Sequence, residues 1–467
     1  MSYTLSKYKH CYWEMSIMDR DIEKDLLLWK QQADHMPILL RGARQVGKSY
    51  VVEKFGRAHF DNILIINFEL QPELCRCFET LHPHDILANL SLLMHHKIEP
   101  GKTLLFLDEI QDCPNAIRAL RYFKEQLPEL HVIGAGSLLE FTLNEADFRM
   151  PVGRVQSLYL KPLSFKEYLK AIGYLDLREF IEQVDFKKSI ANPIHQELLK
   201  QVRNYMSLGG MPSVLKAYLS SESIELSNTS RSFDFNKCQL QQTILLSNYR
   251  QDFGKYAKLT QISHLQRVFE KAPGLVGDHF KYSKVDADAR SQQIKTALEL
   301  LRNAGLIYPI YSTTASGIPL ISLMNEKKFK ILFLDVGLMV RASHVEAELL
   351  LENIILVNRG AIAEQFVGQE LLAYTPSFEE ARLYFWCREK KSSMAEVDFI
   401  ITVGSKIIPI EVKAGSTGQL KSLHLLMHEK DLKMGIRVSQ QPLSFNGQIL
   451  SVPIYMVSEI SRLVKIL

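Results

Sequence analysis

The chain has 467 residues, of which 46% are apolar and 23% are charged. This length suffices for about two to four domains, and the composition is that of an ordinary globular protein. The formal net charge of +4 on a chain of this length does not by itself indicate nucleic-acid binding. Any basic binding surface must therefore be local.

The cysteines and the apolar stretches bear on where the protein works. The 6 cysteines form no C-x-x-C pair and have no histidine at metal spacing, which favours reduced thiols in a cytosolic protein over a zinc site. The N-terminal residues contain no apolar core of signal-peptide length, and nowhere do about 18 apolar residues follow one another. We expect a cytoplasmic protein with no membrane partner.

The first predicted elements are a helix and a short strand. Ile22, Leu26 and Trp29 follow the helical period and predict an amphipathic helix that packs on a sheet. The apolar run from Pro37 to Leu40 predicts the first strand of that sheet. It leads directly into a segment with two glycines.

That segment matches G-x-x-x-x-G-K-[ST] at every fixed position. Glycines let successive backbone N–H groups point inwards, where they and the N-terminus of the next helix bind phosphate. We expect Lys48 to contact the β- and γ-phosphates of ATP and the Ser49 hydroxyl to ligate Mg²⁺. The alternative is a strand-to-helix turn that binds nothing. The predicted nucleotide-binding residues are Gly42, Ala43, Arg44, Gln45, Val46, Gly47, Lys48, Ser49 and, further along the chain, Asp108.

Two carboxylates follow the next strongly apolar strand. The run from Thr103 to Leu107 reads as a strand buried on both faces of a parallel sheet, and Asp108 and Glu109 come at its carboxyl end. Asp108 is predicted to hold Mg²⁺, directly or through water. Glu109 is predicted to orient or deprotonate the attacking water. Acidic residues after a strand are also common helix caps, so this pattern alone is weak evidence for Mg²⁺ binding. Together with the predicted phosphate-binding loop at Gly42 to Ser49, it is strong evidence.

Further strands are predicted at Ile63 to Asn67, His131 to Ala135 and Val155 to Leu160, at the spacing of a parallel α/β sheet. Ser137 follows the second of these and would face the γ-phosphate as a sensor, although a helix-capping serine has the same pattern. Arg154 would supply positive charge to the γ-phosphate of its own or a neighbouring subunit. The alternative for Arg154 is an exposed loop residue.

The middle of the chain is helical and then resembles a winged helix. Helical patterns run from Lys161 to about Tyr256. The stretch from Leu259 to Leu323 has the order of a winged helix, with a helix from Ser291 to Asn303 and strands from Leu306 to Tyr311 and from Ile318 to Leu323. Polar and basic side chains lie off the apolar face of that helix, as in a DNA recognition helix. The alternative is a module that only packs on the ATPase.

The C-terminal part contains the arrangement D-x₁₂-E-x-K, formed by Asp398, Glu411 and Lys413. Side chains alternate along a strand, so Glu411 and Lys413 share one face. Asp398 on the adjacent strand would complete an oxygen cage for Mg²⁺ or Mn²⁺, and Lys413 would position water or offset developing charge. Glu364, on a helix predicted from Ala361 to Tyr374, would join the cage. The alternative is a solvated Glu/Lys pair on an edge strand.

Together these motifs resemble bacterial and archaeal AAA-type ATPases whose C-terminal domain is similar to the PD-(D/E)XK nuclease fold. The resemblance spans most of the chain and implies a sensor role for Ser137, an arginine role for Arg154, a winged helix and a nuclease-like domain. One segment departs from it, because relatives are usually more acidic where this chain has residues 248–256. The resemblance rests on the segments at 41–49, 107–111, 134–137, 153–154, 162–165, 209–212, 304–307, 334–338, 396–398 and 409–413.

The predicted architecture is an α/β protein with a parallel P-loop NTPase sheet, a helical and winged-helix region, and a C-terminal restriction-endonuclease-like α/β domain. The predicted domains are residues 1–165, 166–256, 257–335 and 336–467. One hypothesis is an ATP hydrolase whose nucleotide state controls a nuclease-like domain that acts on DNA. The other is a signal-transducing ATPase switch with a noncatalytic C-terminal binding module. A homo-oligomer is compatible with both.

Overall fold

The structure is a computed structural model that describes residues 18–143, 153–187, 189–220, 235–345, 360–388, 395–415 and 419–467. Two β-sheets organise these residues, one of five strands and one of eight. Among the described residues, none of the helices combines the length and the apolar character that crossing a bilayer requires.

The first sheet confirms the predicted parallel α/β arrangement. Its five strands pair in parallel in the order β2-β3-β4-β1-β5. The strands are β1 (Ile38–Arg41), β2 (Asn62–Asn67), β3 (Thr103–Asp108), β4 (His131–Ala135) and β5 (Gln156–Tyr159). The helices around them are α1 (Ile22–Gln31), α2 (Lys48–His59), α3 (Pro83–Leu93), α4 (Pro114–Gln126) and α5 (Leu139–Leu143).

The apolar runs of the strands form this sheet because helices cover both of its faces. All six residues of β3 are buried. Leu104 and Phe106 pack into one core and Leu105 and Leu107 into another, as expected when successive side chains point to opposite faces. The carboxyl ends of β1, β3 and β4 therefore meet at one edge, where the predicted phosphate loop and acidic pair lie.

Among the described residues, five helices lie between the first sheet and Leu259. The turn between the third and the fourth contains Gly209 and Gly210. Gly209 has a φ of +78°, and a Cβ atom at Gly210 would lie 2.1 Å from the carbonyl oxygen of Leu163. The chain thus needs glycine here to turn against its neighbour. The helices are α6 (Phe165–Ala171), α7 (Leu175–Gln183), α8 (Asn192–Leu208), α9 (Pro212–Ser220) and α10 (Phe235–Tyr256).

The next segment contains the helix predicted as a recognition helix, but one predicted strand is wrong. Helix α13 runs over the predicted residues and buries the expected apolar side. The second strand does not begin at Ile318, because Leu320–Leu323 forms a 3₁₀ turn and the strand begins at Met324. Pro319 has no N–H for a strand ladder, and Leu320 packs into a core cluster instead. The elements are α11 (Leu259–Lys271), α12 (Tyr282–Val285), α13 (Ser291–Asn303), β6 (Ile307–Thr313) and β7 (Met324–Phe333).

Strands β6 and β7 belong to the second sheet rather than to a separate small wing. They pair with each other in antiparallel fashion, and β6 also pairs in parallel with a strand of the C-terminal part. The eight-stranded sheet therefore crosses residue 335, where the last predicted domain boundary falls. The helix-strand-strand order is present, but the hairpin is the edge of a larger sheet, so a free-standing winged helix is not supported. The domain boundaries themselves stay predictions.

The C-terminal part completes this sheet in the order β12-β13-β11-β10-β9-β8-β6-β7. Strands β8, β9 and β10 are antiparallel, whereas β10, β11 and β13 run in parallel. The elements are α14 (Val336–Ala342), α15 (Ala361–Ala373), β8 (Leu383–Cys387), β9 (Glu396–Val403), β10 (Lys406–Val412), α16 (Lys421–Glu429), β11 (Gly435–Ser439), β12 (Ser444–Asn446), β13 (Ile449–Pro453) and α17 (Ile460–Ile466).

Helix α15 carries buried polar side chains that bind several parts of the chain. Gln365 forms two hydrogen bonds with the backbone of Phe333 at the end of β7, of 2.9 and 2.8 Å. Gln369 accepts a 2.8 Å hydrogen bond from the N–H of Val336 and donates one of 2.8 Å to the hydroxyl of Tyr205. Each buried amide is thus satisfied by a different neighbour.

Glu370 continues this polar side of α15 toward the first sheet. Its Oε1 accepts a 3.0 Å hydrogen bond from the N–H of Phe165, the first residue of α6. Burial raises the pKa of the Glu370 carboxyl from 4.5 to about 8. The folded chain therefore holds this proton more tightly than the unfolded chain does.

We predict that Glu370 makes the protein less stable as the pH rises. The stability that this group contributes is fully present below about pH 4.5 and is lost as the pH rises through about 8, because the buried carboxyl must then ionise. Glu370→Gln should leave the melting temperature at about pH 5 near that of the wild type and raise it by about 2–4 °C at about pH 9. Thermal melts across this range, with the exposed Glu326→Gln as control, measure the difference. Parallel melting curves for all three proteins would contradict the prediction.

Candidate functional site

The predicted phosphate loop connects β1 to α2 and has the backbone that its glycines permit. Gly42 and Gly47 have φ values of +148° and +97°, and Gln45 between them has a φ of +65°. A Cβ atom at Gly42 would lie 2.2 Å from the carbonyl oxygen of Leu160. Helix α2 begins at Lys48, directly after the second glycine. Its free N–H groups therefore face the loop.

Lys48 is a buried cation inside this loop. Its Nζ donates hydrogen bonds to the carbonyl oxygens of Gly42 at 2.9 Å and Ala43 at 2.8 Å. Burial lowers the pKa of the Lys48 ammonium to about 8. A buried cation whose hydrogen-bond partners are neutral carbonyls fits an anionic ligand, because an anion would offset the loss of solvation.

Ser49 and Asp108 form the predicted magnesium-binding pair. The Ser49 hydroxyl lies 3.0 and 2.9 Å from the two carboxylate oxygens of Asp108. Burial raises the pKa of the Asp108 carboxyl. Hydroxyl and carboxylate oxygens are the donors that Mg²⁺ prefers, so these residues fit Mg²⁺ bound with ATP.

Asn67 is a site residue that the sequence did not reveal. Its Nδ2 donates a 3.1 Å hydrogen bond to Oδ2 of Asp108. Asn67 ends β2 and pairs in register with Asp108 at the end of β3. Its position in the sequence could have predicted this role, because Asn67 lies at the carboxyl end of a predicted parallel strand, at the same edge of the sheet as the acidic pair.

The structure brings Glu109 and Ser137 together. Oε2 of Glu109 accepts a 2.7 Å hydrogen bond from Nε2 of Gln111 and lies 3.4 Å from the Ser137 hydroxyl. Glu109 has a φ of +48°, a left-handed conformation that is costly for a residue with a side chain. The strand ends thus hold the predicted water-activating group beside the predicted sensor.

Arg154 lies away from the phosphate loop and the acidic pair. It precedes β5, and the first residue of β5, Gln156, pairs with the first residue of β1, Ile38. Arg154 is therefore at the amino ends of the strands, opposite the phosphate loop. Its guanidinium pairs with Glu125 at 3.1 Å, and its side chain is 48% exposed. It does not join the site of its own chain, and a role at a neighbouring subunit stays a prediction.

Helix α10 contacts the loop through the segment that departs from the family resemblance. Arg44 forms an ion pair with Asp252. The Tyr249 hydroxyl donates a 2.9 Å hydrogen bond to the carbonyl oxygen of Arg44. Residues 248–256 thus attach the helical region to the phosphate loop.

An open cavity of about 420 Å³ lies beside the loop at Gly47. Its walls come from the start of the described chain, from α2 and from the beginning of α9, and they are mostly apolar. Mostly apolar walls with a few polar groups are typical of small-molecule sites. Residues on these walls include Met18, Tyr50, Val51, Leu163, Pro212 and Lys216.

The predicted C-terminal carboxylates also converge, but around a lysine. The Nζ of Lys330 lies 3.4 Å from Oε2 of Glu364 and 3.8 Å from Oδ1 of Asp398, and it pairs more closely with Glu396. Lys330 is in β7, and its side chain is 2% exposed. Sequence reasoning missed it because β7 lies outside the segment that contains the D-x₁₂-E-x-K pattern.

Glu411 and Lys413 occupy the other side of this cluster. Lys413 donates a hydrogen bond to Oε1 of Glu411, while Oε2 of Glu411 is buried without a hydrogen-bond partner. The N–H of Val412 donates a 2.8 Å hydrogen bond to Oδ2 of Asp398. Burial raises the pKa of the Glu411 carboxyl to about 7 and that of Glu364 to about 8. The nearby carboxylate of Asp398 raises both pKa values further.

The predicted metal cage is not supported in the part of the chain that the structure describes. No group of three or more histidine, cysteine, aspartate or glutamate residues there is arranged to hold a metal ion. The residues named for the cage are neighbours, but an ammonium group lies among them.

Comparison with known families identifies the first domain. Residues 34–169 match the family described as AAA domain. Residues 199–349 and 359–456 match two families described as domains of unknown function. No curated protein matches the chain. Residues 34–169, with the loop and acidic pair described above, form an AAA-type P-loop ATPase domain.

Several solved structures are similar to the chain at low identity. A Walker-type ATPase of Pyrococcus abyssi is 14% identical with a TM-score of 0.44, over 70% of this chain and 96% of its own. The ORC2 protein of Aeropyrum pernix, in ADPNP and ADP complexes, is 14% identical with a TM-score of 0.35, over 76% and 93%. The RuvB Holliday junction branch migration motor of Thermotoga maritima is 15% identical with a TM-score of 0.28, over 62% and 88%.

We predict that Asn67→Ala raises the Mg²⁺ concentration needed for half-maximal ATP hydrolysis by about tenfold, because Asp108 loses the donor that orients its carboxylate. The maximal rate at saturating Mg²⁺ should stay close to that of the wild type. Asn62→Ala, at the opposite end of the same strand, is the matched control. A lower rate that no Mg²⁺ concentration restores would show that Asn67 acts in another way.

Proposed function

We propose that the protein is an ATP hydrolase whose nucleotide state controls its C-terminal part. The observation that carries the proposal is the meeting of Lys48, Ser49, Asp108, Glu109 and Ser137 at one edge of the parallel sheet. These residues are the groups that phosphoryl transfer to water requires: a phosphate-binding cation, a magnesium-binding pair and a carboxylate for the nucleophile.

Each group has a separate task. Lys48 and the loop N–H groups would bind the β- and γ-phosphates, and Mg²⁺ held by Ser49 and Asp108 would supply further positive charge there. Glu109 would orient the attacking water and accept its proton. Ser137, next to Glu109, would contact the γ-phosphate. The cavity beside Gly47 would take the base.

The ATPase part of the proposal is tested by phosphate release. Lys48→Ala should abolish the release of phosphate from ATP and Mg²⁺, because the loop loses its buried cation. Glu109→Gln should still bind ATP but hydrolyse it at least about 100-fold more slowly, since the amide accepts no proton from water. Arg57→Ala, on the same helix as Lys48 but exposed, should behave like the wild type. Equal phosphate release by Lys48→Ala and the wild type would refute the assignment.

One contact that supports control of the C-terminal part runs from the loop to the hairpin. Gly305, which follows α13, approaches Ala43 of the loop so closely that a Cβ atom at Gly305 would lie 3.2 Å from the Cβ of Ala43. Helix α13 leads directly into β6 and β7, the edge of the eight-stranded sheet. A change in the conformation of the phosphate loop would therefore displace Gly305, which lies just before this hairpin.

A second contact runs through the glycine turn before α9. Pro212 packs near Gly47, and the N–H of Gly210 donates a 2.7 Å hydrogen bond to Oδ2 of the buried Asp335. Oδ2 of Asp335 also accepts a hydrogen bond of 3.5 Å from Gln369 of α15. The helix that carries Glu364 is thus connected to the nucleotide loop by packed and hydrogen-bonded residues. Such contiguity is a route for coupling.

We propose DNA as the partner of the C-terminal part, with Asp398, Glu411, Glu364 and Lys413 as its nuclease-like residues. The support is their convergence in one buried cluster beside a strand pair. The second candidate is a switch whose C-terminal part binds a partner without cleaving it. The buried Lys330 among the carboxylates favours this second candidate, because it occupies the space between the groups predicted to bind metal.

DNA cleavage separates the two candidates. With ATP and Mn²⁺, the first predicts cleavage of supercoiled and linear DNA that falls by about 100-fold or more in Asp398→Asn and Lys413→Ala, as expected when a charged catalytic group is lost. Lys406→Ala, at the other end of β10, is the control. Cleavage that is equal in all variants would reveal a contaminant. Salt-sensitive DNA binding without cleavage would support the second candidate.

A further inference from the structure

Lys330 is an unusual residue for its position. It lies in the buried second half of the edge strand β7, whereas Glu326 and Lys327 in the first half of the strand are exposed. Its own side chain is 2% exposed and ends among Glu364, Glu396 and Asp398. A buried ammonium needs compensating anions, and these carboxylates supply them.

The cluster is rich in carboxylates. Four of them, from Glu364, Glu396, Asp398 and Glu411, lie beside the ammonium groups of Lys330 and Lys413 and the ring of His279. The cluster thus has the oxygen donors that attract a divalent cation. The space between Glu364 and Asp398, however, is taken by Lys330.

One further observation indicates that a ligand is missing. Oε2 of Glu411 is buried and has no hydrogen-bond partner, although its neighbour Oε1 pairs with Lys413. Buried carboxylate oxygens are normally satisfied, and an unsatisfied one requires an explanation such as an absent ion. Glu411 is within electrostatic reach of both Asp398 and Lys330. Its free oxygen therefore belongs to the same cluster.

We propose that Lys330 is a tethered cation that keeps a divalent metal out of the C-terminal cluster, so that the cluster binds such a metal only when this ammonium is removed. The ligands would then be Glu364, Asp398 and Glu411. The inference rests on the proposed C-terminal site, but it requires neither ATP hydrolysis nor DNA cleavage, because metal binding alone tests it.

The fold offers a way for Lys330 to leave. Among the described strands, β7 lies at one edge of the sheet and pairs with β6 alone. The β6–β7 hairpin begins two residues after Gly305, which contacts the nucleotide loop. A shift of the hairpin would draw Lys330 away from α15 and β9, which carry the carboxylates.

Mn²⁺ binding to the full chain without nucleotide tests the proposal. The loss of the electron paramagnetic resonance signal of free Mn²⁺ measures the bound fraction. Lys330→Met should bind one Mn²⁺ per chain at least about tenfold more tightly than the wild type, because the competing charge is gone. Lys330→Met combined with Asp398→Asn should return to the wild-type level, which locates the ion. Lys330→Arg keeps the charge and should bind no better than the wild type.

Removal of a buried cation can also destabilise the fold, because its partner carboxylates lose their compensation. Lys330→Met combined with Glu396→Gln removes the closest ion pair as a unit and should still bind Mn²⁺, with a melting temperature that Mn²⁺ raises. A folded form of this double variant that binds no Mn²⁺ would overturn the proposal. So would wild-type protein that binds Mn²⁺ as tightly as Lys330→Met and loses it in Asp398→Asn, since metal and ammonium would then coexist.

Lack of DNA cleavage together with the expected Mn²⁺ binding would refute the nuclease activity and leave the role of Lys330 intact. Loss of phosphate release in Lys48→Ala has no bearing on this measurement, which uses no nucleotide. The metal-binding inference and the proposed function can therefore fail separately.

Discussion

The polar side of α15 is buried where three parts of the chain meet, and its hydrogen bonds constrain all of them. A buried amide or carboxyl left without partners costs about 1–3 kcal/mol, so each of these groups fixes the neighbour that satisfies it. Gln365 holds the end of β7, Gln369 holds the start of α14, and Glu370 holds the start of α6. The first turn of the same helix carries Glu364. These bonds thus connect the helix that carries Glu364 to the first helix after the ATPase sheet and to the edge strand β7.

The ATPase site depends on a simpler constraint. Parallel strands end at one edge of their sheet, so residues that directly follow different strands become neighbours without any specific contact between them. Asp108 after β3 and the loop after β1 meet in this way, as do Glu109 and Ser137. Asn67 obeys the same rule but escaped prediction, because an asparagine after a strand has no distinctive pattern. Arg154 precedes its strand, and the same rule places it at the opposite edge.

The C-terminal cluster combines predicted and unpredicted residues. Asp398, Glu411, Lys413 and Glu364 were predicted as neighbours, since strand alternation and an adjacent helix set their spacing. Lys330 lies in β7, which follows the predicted hairpin but falls within the predicted winged-helix domain of residues 257–335. Its presence changes the chemistry of the cluster from that of an open metal cage to that of a compensated group of charges.

The sequence by itself determined the elements whose residues interact locally: the glycine-bounded loop, the strands of the parallel sheet, and helix α13 with its apolar side. These depend on backbone conformation and on periodic burial, which a short segment encodes. Tertiary structure alone decided that β6 joins β8, that helix α10 holds Arg44, and that Lys330 lies among the C-terminal carboxylates. Such pairings join residues far apart in the chain, and their energy depends on which buried charges and hydrogen-bonding groups find partners, a property that no local pattern records.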